Sequence, residues 1–249
     1  MQIIAHRGVH DGDPTVENTP LAFSKAVALD VEMLELDARL TKDKQLIVHH
    51  DSMANGRRIK FADRNLDDLV ADGTCVKELF RDQRKKVPTL ELVLRVFLPQ
   101  IKINIELKEK GSAKALIELL KYQEFVSDEL FKKNLLISSF EASEVVIVKK
   151  EFRFIETALL MKKYQFPLYS RDQKLIDALG RLGVEGIHLP SRRAKKEMVT
   201  YLKKKGFKVR VFTINDSQSM SDCLYLGVDG IFTDKRELFA NPDRFYLIT

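Results

Sequence analysis

The strongest constraint on the fold is an alternation kept from one end of the chain to the other. Short apolar, β-rich runs take turns with amphipathic runs of helical period. Parallel strands need a crossover between them and amphipathic helices supply it, so this is the pattern of repeated βα units. Eight strand-like runs stand out, at residues 2–5, 33–37, 102–107, 135–140, 155–161, 186–189, 209–213 and 230–233. Helices are predicted at 20–29, 113–122, 142–150, 174–182, 193–205 and 217–226, the first entered through an Asn18-Thr19 cap. Gly183, Gly206 and Gly227 each close a helical run just before the next strand, as a left-handed cap does. Eight such units close into a TIM (β/α)8 barrel, and 249 residues suit one barrel domain, 1–249.

One connection is too long for a simple crossover: residues 41–100 lie between the second strand and the third. Within it, 46–49 reads as an added strand, 66–71 and 76–80 as short helices, and 90–97 as the barrel helix after Pro88-Thr89. The expectation is a small subdomain inserted at about 41–87, between strand 2 and helix 2. It would lie over the strand C-termini, where barrels carry their active sites.

Composition narrows the partners. The formal net charge is +6, yet the basic clusters Arg84-Lys85-Lys86, Arg192-Arg193 with Lys195-Lys196, and Lys203-Lys204-Lys205 have no interleaved aromatics. They read as solvated helix faces, and no nucleic-acid partner is expected. Cys75 and Cys223 have no CxxC spacing, so neither a disulfide framework nor a zinc site is indicated. No apolar run approaches the roughly 18 residues of a membrane span, and the first strand begins at once. A cytoplasmic protein without stable membrane insertion is expected; the oligomeric state is left open.

Polar residues collect at the C-terminal ends of the predicted strands: His6 and Arg7 after the first, Glu35 and Asp37 on the second, Glu106 and Lys108 at the third. Residues two apart on a strand share a face, so Glu35 and Asp37 point together into the barrel mouth. Three converging carboxylates repel one another unless a cation joins them. Hard oxygen ligands suit magnesium or calcium, with manganese acceptable and zinc less so. For Glu35 or Glu106 taken singly, an ion pair with Lys108 or Arg7 is an equal reading. Four of the five histidines, His6, His10, His49 and His50, fall on the first two strand-end regions. A phosphodiester needs a base and an acid near neutrality, which imidazoles supply, and His6 with His50 is the chosen pair. His49 and His50 point to opposite faces of an extended strand, so only one of them can enter the site. For His10 and His188 a packing role is expected. Arg7 suits a phosphate oxygen as a bidentate fork and Lys108 as a point charge. With a monoanionic diester, three carboxylates are balanced by a divalent ion, Arg7 and Lys108.

These residues carry a resemblance that spans essentially the whole chain. His6-Arg7-Gly8, then Glu17-Asn18-Thr19 and Ala22-Phe23, resemble the HRG and ENT-x-x-AF elements of the glycerophosphodiester phosphodiesterase family. Glu35-Leu36-Asp37, Thr41-Lys42-Asp43, Val48 and His50-Asp51 resemble its ELD, TKD and V-x-HD run. Asn104-Ile105-Glu106-Leu107-Lys108, Ser139-Phe140, Gly227-Val228-Asp229-Gly230 and Thr233-Asp234 follow in the family's order. Departures are Val16 and Arg236 for proline, Lys44 for glycine and Phe212 for tryptophan; none removes a reacting group.

The resemblance implies that His6 and His50 are the acid/base pair, selecting His50 over His49. It implies that Glu35, Asp37 and Glu106 bind one divalent cation, and that Arg7 and Lys108 hold the phosphate of a small glycerophosphodiester. Phe140 and Phe212 are expected near the leaving alcohol, one of them chiefly as core. Glu17 either orients Arg7 or caps the helix entered at Thr19. The expected reaction is metal-dependent hydrolysis to sn-glycerol 3-phosphate and an alcohol, through attack of the glycerol 2-hydroxyl or of water. The rival readings are a lysophospholipase D acting on lysophospholipids, for which Met53, Ile59, Phe61, Leu66 and Leu69 of the insertion would shelter an acyl chain although packing against the barrel is the expected role, and a noncatalytic barrel that binds phosphorylated ligands.

Overall fold

The computed structural model describes residues 1–54, 60–78, 86–122, 128–162 and 170–239. The strands are β1 Gln2–Ala5, β2 Met33–Leu40, β3 Leu46–Val48, β4 Cys75–Val76, β5 Val87–Pro88 and β6 Lys102–Leu107. They continue with β7 Leu135–Ser139, β8 Glu156–Leu160, β9 Gly186–Pro190, β10 Lys208–Phe212 and β11 Gly230–Thr233. Among the described residues eight of these, β1, β2 and β6 to β11, form a parallel barrel. It closes at β1, which pairs with β11 on one side (Ala5↔Thr233) and with β2 on the other (Ala5↔Leu34). The expected (β/α)8 barrel is therefore the fold.

The helices lie between strands, on the outside: α1 Pro20–Ala28, α2 Leu66–Ala71, α3 Leu90–Phe97, α4 Ser112–Lys121, α5 Asp128–Asn134, α6 Ala142–Glu151, α7 Ser170–Arg181, α8 Lys196–Lys204 and α9 Ser217–Leu226. Thr19 caps α1, its hydroxyl accepting the amide of Ala22, and Thr89 caps α3 in the same way through Leu92. Apolar strand residues facing outward pack on the helices, while Ile4, Met33, Leu136, Ala158 and Phe232 fill the barrel interior below the mouth.

Between β2 and α3 lies the inserted segment. β3 pairs antiparallel with the end of β2 (Ala38↔Val48, Leu40↔Leu46), so β2 runs to Leu40 and not only to Asp37. A small core of Ile47, Ala54, Phe61, Leu66, Leu69 and Cys75 holds the segment together. Here the expectation of a helix at 76–80 fails. Cys75–Val76 pairs as a strand with Val87–Pro88, since two residues buried beside a partner strand are satisfied by a short ladder. Lys77 and Glu78 form a bend, while residues 79–80 of that predicted helix, and Ile59, Arg84 and Lys85, lie outside the described residues. α5 was not expected. Its sequence is mostly charged and only the adjacent pair Leu130 and Phe131 packs on the core, so it shows no apolar stripe. α8 begins at Lys196, later than expected, because Ser191–Arg193 forms a separate 3-10 turn.

Candidate active site

β2 and β6 lie side by side, and their register places Glu35 beside Asn104 and Asp37 beside Glu106. Alternation then turns all four into the barrel mouth. Carboxylate oxygens of Glu35, Asp37 and Glu106 come within 4.8 Å of one another, and all three residues are buried. Two cations meet this cluster. Lys108 Nζ is 3.0 Å from Asp37 Oδ1 and 2.7 Å from Glu106 Oε1, and Arg7 Nε is 3.4 Å from Asp37 Oδ2. Glu35 instead accepts a hydrogen bond from the backbone N–H of Arg7, at 2.9 Å.

The electrostatics are unequal. Burial, reinforced by Asp37, pushes the Glu35 carboxyl up to about 8. Burial also disfavours the charge on Asp37, but Lys108 and Arg7 outweigh it and that carboxyl is lowered to about 2. Glu106 is raised by burial and Asp37 against the pull of Lys108. Three buried carboxylates thus share two cationic side chains. All-oxygen ligands with one group reluctant to ionise fit a hard divalent cation.

The turn after β1 delivers Arg7 in an unusual way. Arg7 (φ 55) and Asn18 (φ 58) both adopt left-handed backbone, which is uncommon outside glycine. Gly8, also left-handed, cannot be replaced easily: a Cβ there would lie 2.7 Å from that of Ala22 on α1. The resulting tight turn lets the Arg7 guanidinium reach Glu17 (Nη1 to Oε2, 2.6 Å) as well as Asp37. Glu17 thus braces Arg7, while Thr19 caps the helix. Asn18 clamps Asp37 twice, its Nδ2 donating to Oδ2 at 2.8 Å and its Oδ1 accepting the Asp37 amide at 3.0 Å.

His6 lies above this cluster, its Nε2 4.0 Å from Glu35 Oε2 and its Nδ1 2.6 Å from Asp234 Oδ1. Burial lowers its pKa, but the hydrogen bond to Asp234 and the charge on Glu35 prevail and raise it. His50 sits across the mouth. Burial, with Lys108 and Arg7, lowers its pKa against the pull of Asp37. Its Nδ1 meets Asp51 Oδ1 at 2.8 Å, and its backbone carbonyl accepts from Arg39 Nε at 2.8 Å. Arg39 in turn pairs with Glu109, 3.2 Å away. His49 points the other way and packs on Phe61, ring centroids 5.2 Å apart.

A cavity of about 180 Å³ joins these groups, lined by His6, Arg7, Glu35, His50, Glu106 and Lys108. Phe140 and Phe212 form one wall, edge to face at 5.9 Å, and Phe212 also packs on the interior core. Asp37 lies just beneath, only 1% exposed. Every site residue expected from the sequence is therefore drawn to one end of the barrel. The apolar residues of the insertion behave differently: Phe61, Leu66 and Leu69 bury themselves in their own core, and Met53 is 44% exposed.

Asp234, Asn18, Arg39 and Glu109 were given no such part in the sequence reading. Asp234 was legible only as part of the closing Thr233-Asp234 element and Asn18 as part of a helix cap, and no local pattern singled out Arg39 or Glu109. His10, expected to be a packing residue, is buried but lies 3.3 Å from Asp234. His188 is wholly buried in the barrel against Phe232, as a packing residue would be.

Residues 6–238 match the glycerophosphoryl diester phosphodiesterase family. A glycerophosphodiester phosphodiesterase of Bacillus altitudinis is 32% identical over 249 residues, covering 94% of each chain. The human protein named Lysophospholipase D GDPD1 is 25% identical, covering 93% of this chain and 82% of its own. Among solved structures, a glycerophosphodiester phosphodiesterase from Thermotoga maritima superposes with a TM-score of 0.73 at 26% identity, covering 96% of this chain and 97% of its own.

Proposed function

The chain belongs to the glycerophosphoryl diester phosphodiesterase family, and from that membership we propose that it hydrolyses glycerophosphodiesters such as glycerophosphocholine and glycerophosphoethanolamine to sn-glycerol 3-phosphate and the free alcohol, in a cation-dependent reaction with His6 and His50 as the acid–base pair. One observation carries this reading: two histidines with opposite pKa shifts face one cavity that also holds Arg7, Lys108 and the buried carboxylate cluster.

Glu35, Asp37 and Glu106 would hold a magnesium, calcium or manganese ion, their all-oxygen donor set being what such ions take. When bound, the ion supplies Lewis-acid stabilisation of charge on a phosphoryl oxygen. Arg7 and Lys108 bind the remaining phosphate oxygens and hold phosphorus between the imidazoles. His50, kept neutral by its lowered pKa, accepts the proton of the attacking oxygen. His6, kept protonated by Asp234, donates to the departing alkoxide. The attacking oxygen in this reading is the glycerol 2-hydroxyl, giving a cyclic phosphate that water opens with the roles reversed. A diester lacking that hydroxyl is then expected to remain intact; hydrolysis at the normal rate would assign the attack to water. Phe140 and Phe212 flank the leaving alcohol.

The rival substrate, a lysophospholipid, draws support from the name of the human relative. The small cavity and the self-packed insertion favour the deacylated diester. Parallel assays with glycerophosphocholine and lysophosphatidylcholine test the choice. Faster turnover of the first is expected, and preference for the second would reverse the assignment. In this reading residues 1–249 act as one catalytic domain, with about 41–87 as an insertion. A cytoplasmic setting is also part of it, supported by two buried, unpaired cysteines and by the absence, among the described residues, of any helix long and apolar enough to cross a membrane.

A further inference from the structure

His10 comes from the loop after β1, and Asp234 follows β11, so their contact spans the seam where the first and last barrel strands meet. The imidazole is 3% exposed, and its Nε2 lies 3.3 Å from Asp234 Oδ1. His6 Nδ1 meets the same oxygen at 2.6 Å. An ionised carboxylate only accepts, so both rings must donate to it, His6 through Nδ1–H and His10 through Nε2–H. That arrangement fixes the tautomer of His6 and leaves its Nε2 for chemistry at the cavity. The second carboxylate oxygen of Asp234 accepts from Asn215 Nδ2 at 2.7 Å, and the Asp234 amide donates to Asn215 Oδ1 at 2.9 Å. On its far edge, His10 Nδ1 has no hydrogen-bond partner among the described residues and lies 4.0 Å from Glu17 Oε1, the residue that braces Arg7.

We propose that His10 is a positioning residue of this site, locking Asp234 in the rotamer that aims His6 Nε2 into the cavity. The inference rests on the reading of His6 as an acid–base group. The Asp234 side chain is 27% exposed, and without the His10 donor its Oδ1 is held by His6 alone, with Asn215 on the other oxygen, so the carboxylate can tilt toward water and carry the His6 ring with it. Mere packing would not require a nitrogen here. A buried ring nitrogen costs free energy unless it is bonded, and an apolar ring would fill the same space. Among the hydrogen-bonding groups described, the histidine is the one that reaches Asp234 from the β1 side besides His6 itself.

The test compares His10→Phe, which keeps a ring but no donor, with His10→Gln, whose amide restores one. In hydrolysis of glycerophosphocholine, His10→Phe is expected to lower kcat about tenfold, the scale on which such supporting partners act. KM stays within about twofold because the phosphate-binding groups are untouched, and His10→Gln recovers most of the loss. A proton NMR measurement needs no turnover. The deshielded Nδ1–H resonance of His6, assigned by its loss in His6→Ala, should move in His10→Phe and return in His10→Gln. Unchanged kcat in His10→Phe, or a resonance that stays in place, would overturn the proposal and leave His10 as a packing residue. A wild-type chain that hydrolyses no diester would overturn the reading of the site, and the resonance alone would then decide the role of His10.

Discussion

Lys108 holds two carboxylates that stand side by side on neighbouring strands, its Nζ 3.0 Å from Asp37 and 2.7 Å from Glu106. The ammonium therefore competes with any cation for those oxygens while offering its own charge to the phosphate. Removing it separates the two effects. Lys108→Met should tighten magnesium or calcium binding in calorimetry, because the carboxylates lose a partner, yet cut kcat/KM by about a hundredfold through the lost phosphate contact. Weakened cation binding together with normal turnover would show that Lys108 is only a structural counter-ion.

Glu35 makes cation binding depend on pH. Its carboxyl is pushed up to about 8 by burial and Asp37, so near neutrality much of it is protonated and must lose that proton when a cation binds. Affinity should rise as pH climbs toward 8, with proton release visible as a dependence of binding enthalpy on buffer. Glu35→Gln should weaken both effects, leaving the smaller contribution of Glu106, whose carboxyl is also raised by burial and Asp37. Proton uptake, or affinity flat across that range, would contradict the arrangement.

The two histidines predict a bell-shaped pH profile for kcat/KM. His50 has a lowered pKa and must be neutral to accept a proton, so activity falls as pH drops through a value below 6.5. His6 has a raised pKa and must be protonated to donate, so activity falls as pH rises through a value above 6.5. His50→Gln should remove the acid limb along with most of the activity. Both limbs falling on the same side of 6.5, or a profile with no bell, would contradict the assignment.

Phe212 tests the leaving-group wall. Phe212→Ala should raise KM for glycerophosphocholine about tenfold with little change in kcat, as expected for a lost apolar contact that does not touch the reacting atoms. A kcat effect of similar size would move Phe212 from the alcohol pocket to the barrel core it also touches.

Gly8 tests the turn that delivers Arg7. Gly8→Ala places a Cβ 2.7 Å from that of Ala22 in a backbone with φ 78, and should cost about 2 kcal/mol or more of stability, read as a lowered Tm. An unchanged Tm would mean that the turn relaxes and that the left-handed Arg7 is not held by it.

Much of this was legible before the structure. Barrel strands are short apolar runs set between helical ones, and left-handed glycines mark the helix ends, Gly183, Gly206 and Gly227 among them. The carboxylates were legible because Glu35 and Asp37 share a strand face, and Glu106 and Lys108 repeat the spacing. What escaped were relationships that no local pattern encodes. His10 and Asp234 are 224 residues apart in sequence and meet only because the barrel closes. Asn18 looked like part of a helix cap and instead clamps Asp37, and no local pattern singles out Arg39, which holds the backbone of His50. The strand at Cys75–Val76 was missed because its partner, Val87–Pro88, lies 12 residues further along the sequence.

The most direct test of the central claim is release of sn-glycerol 3-phosphate from glycerophosphocholine by wild type and by His50→Ala, each with EDTA and with added magnesium, calcium or manganese. The account predicts release by wild type that disappears with EDTA, returns with one of the ions, and falls by at least about a hundredfold in His50→Ala. Release that persists in EDTA, or that survives the loss of His50, would contradict it.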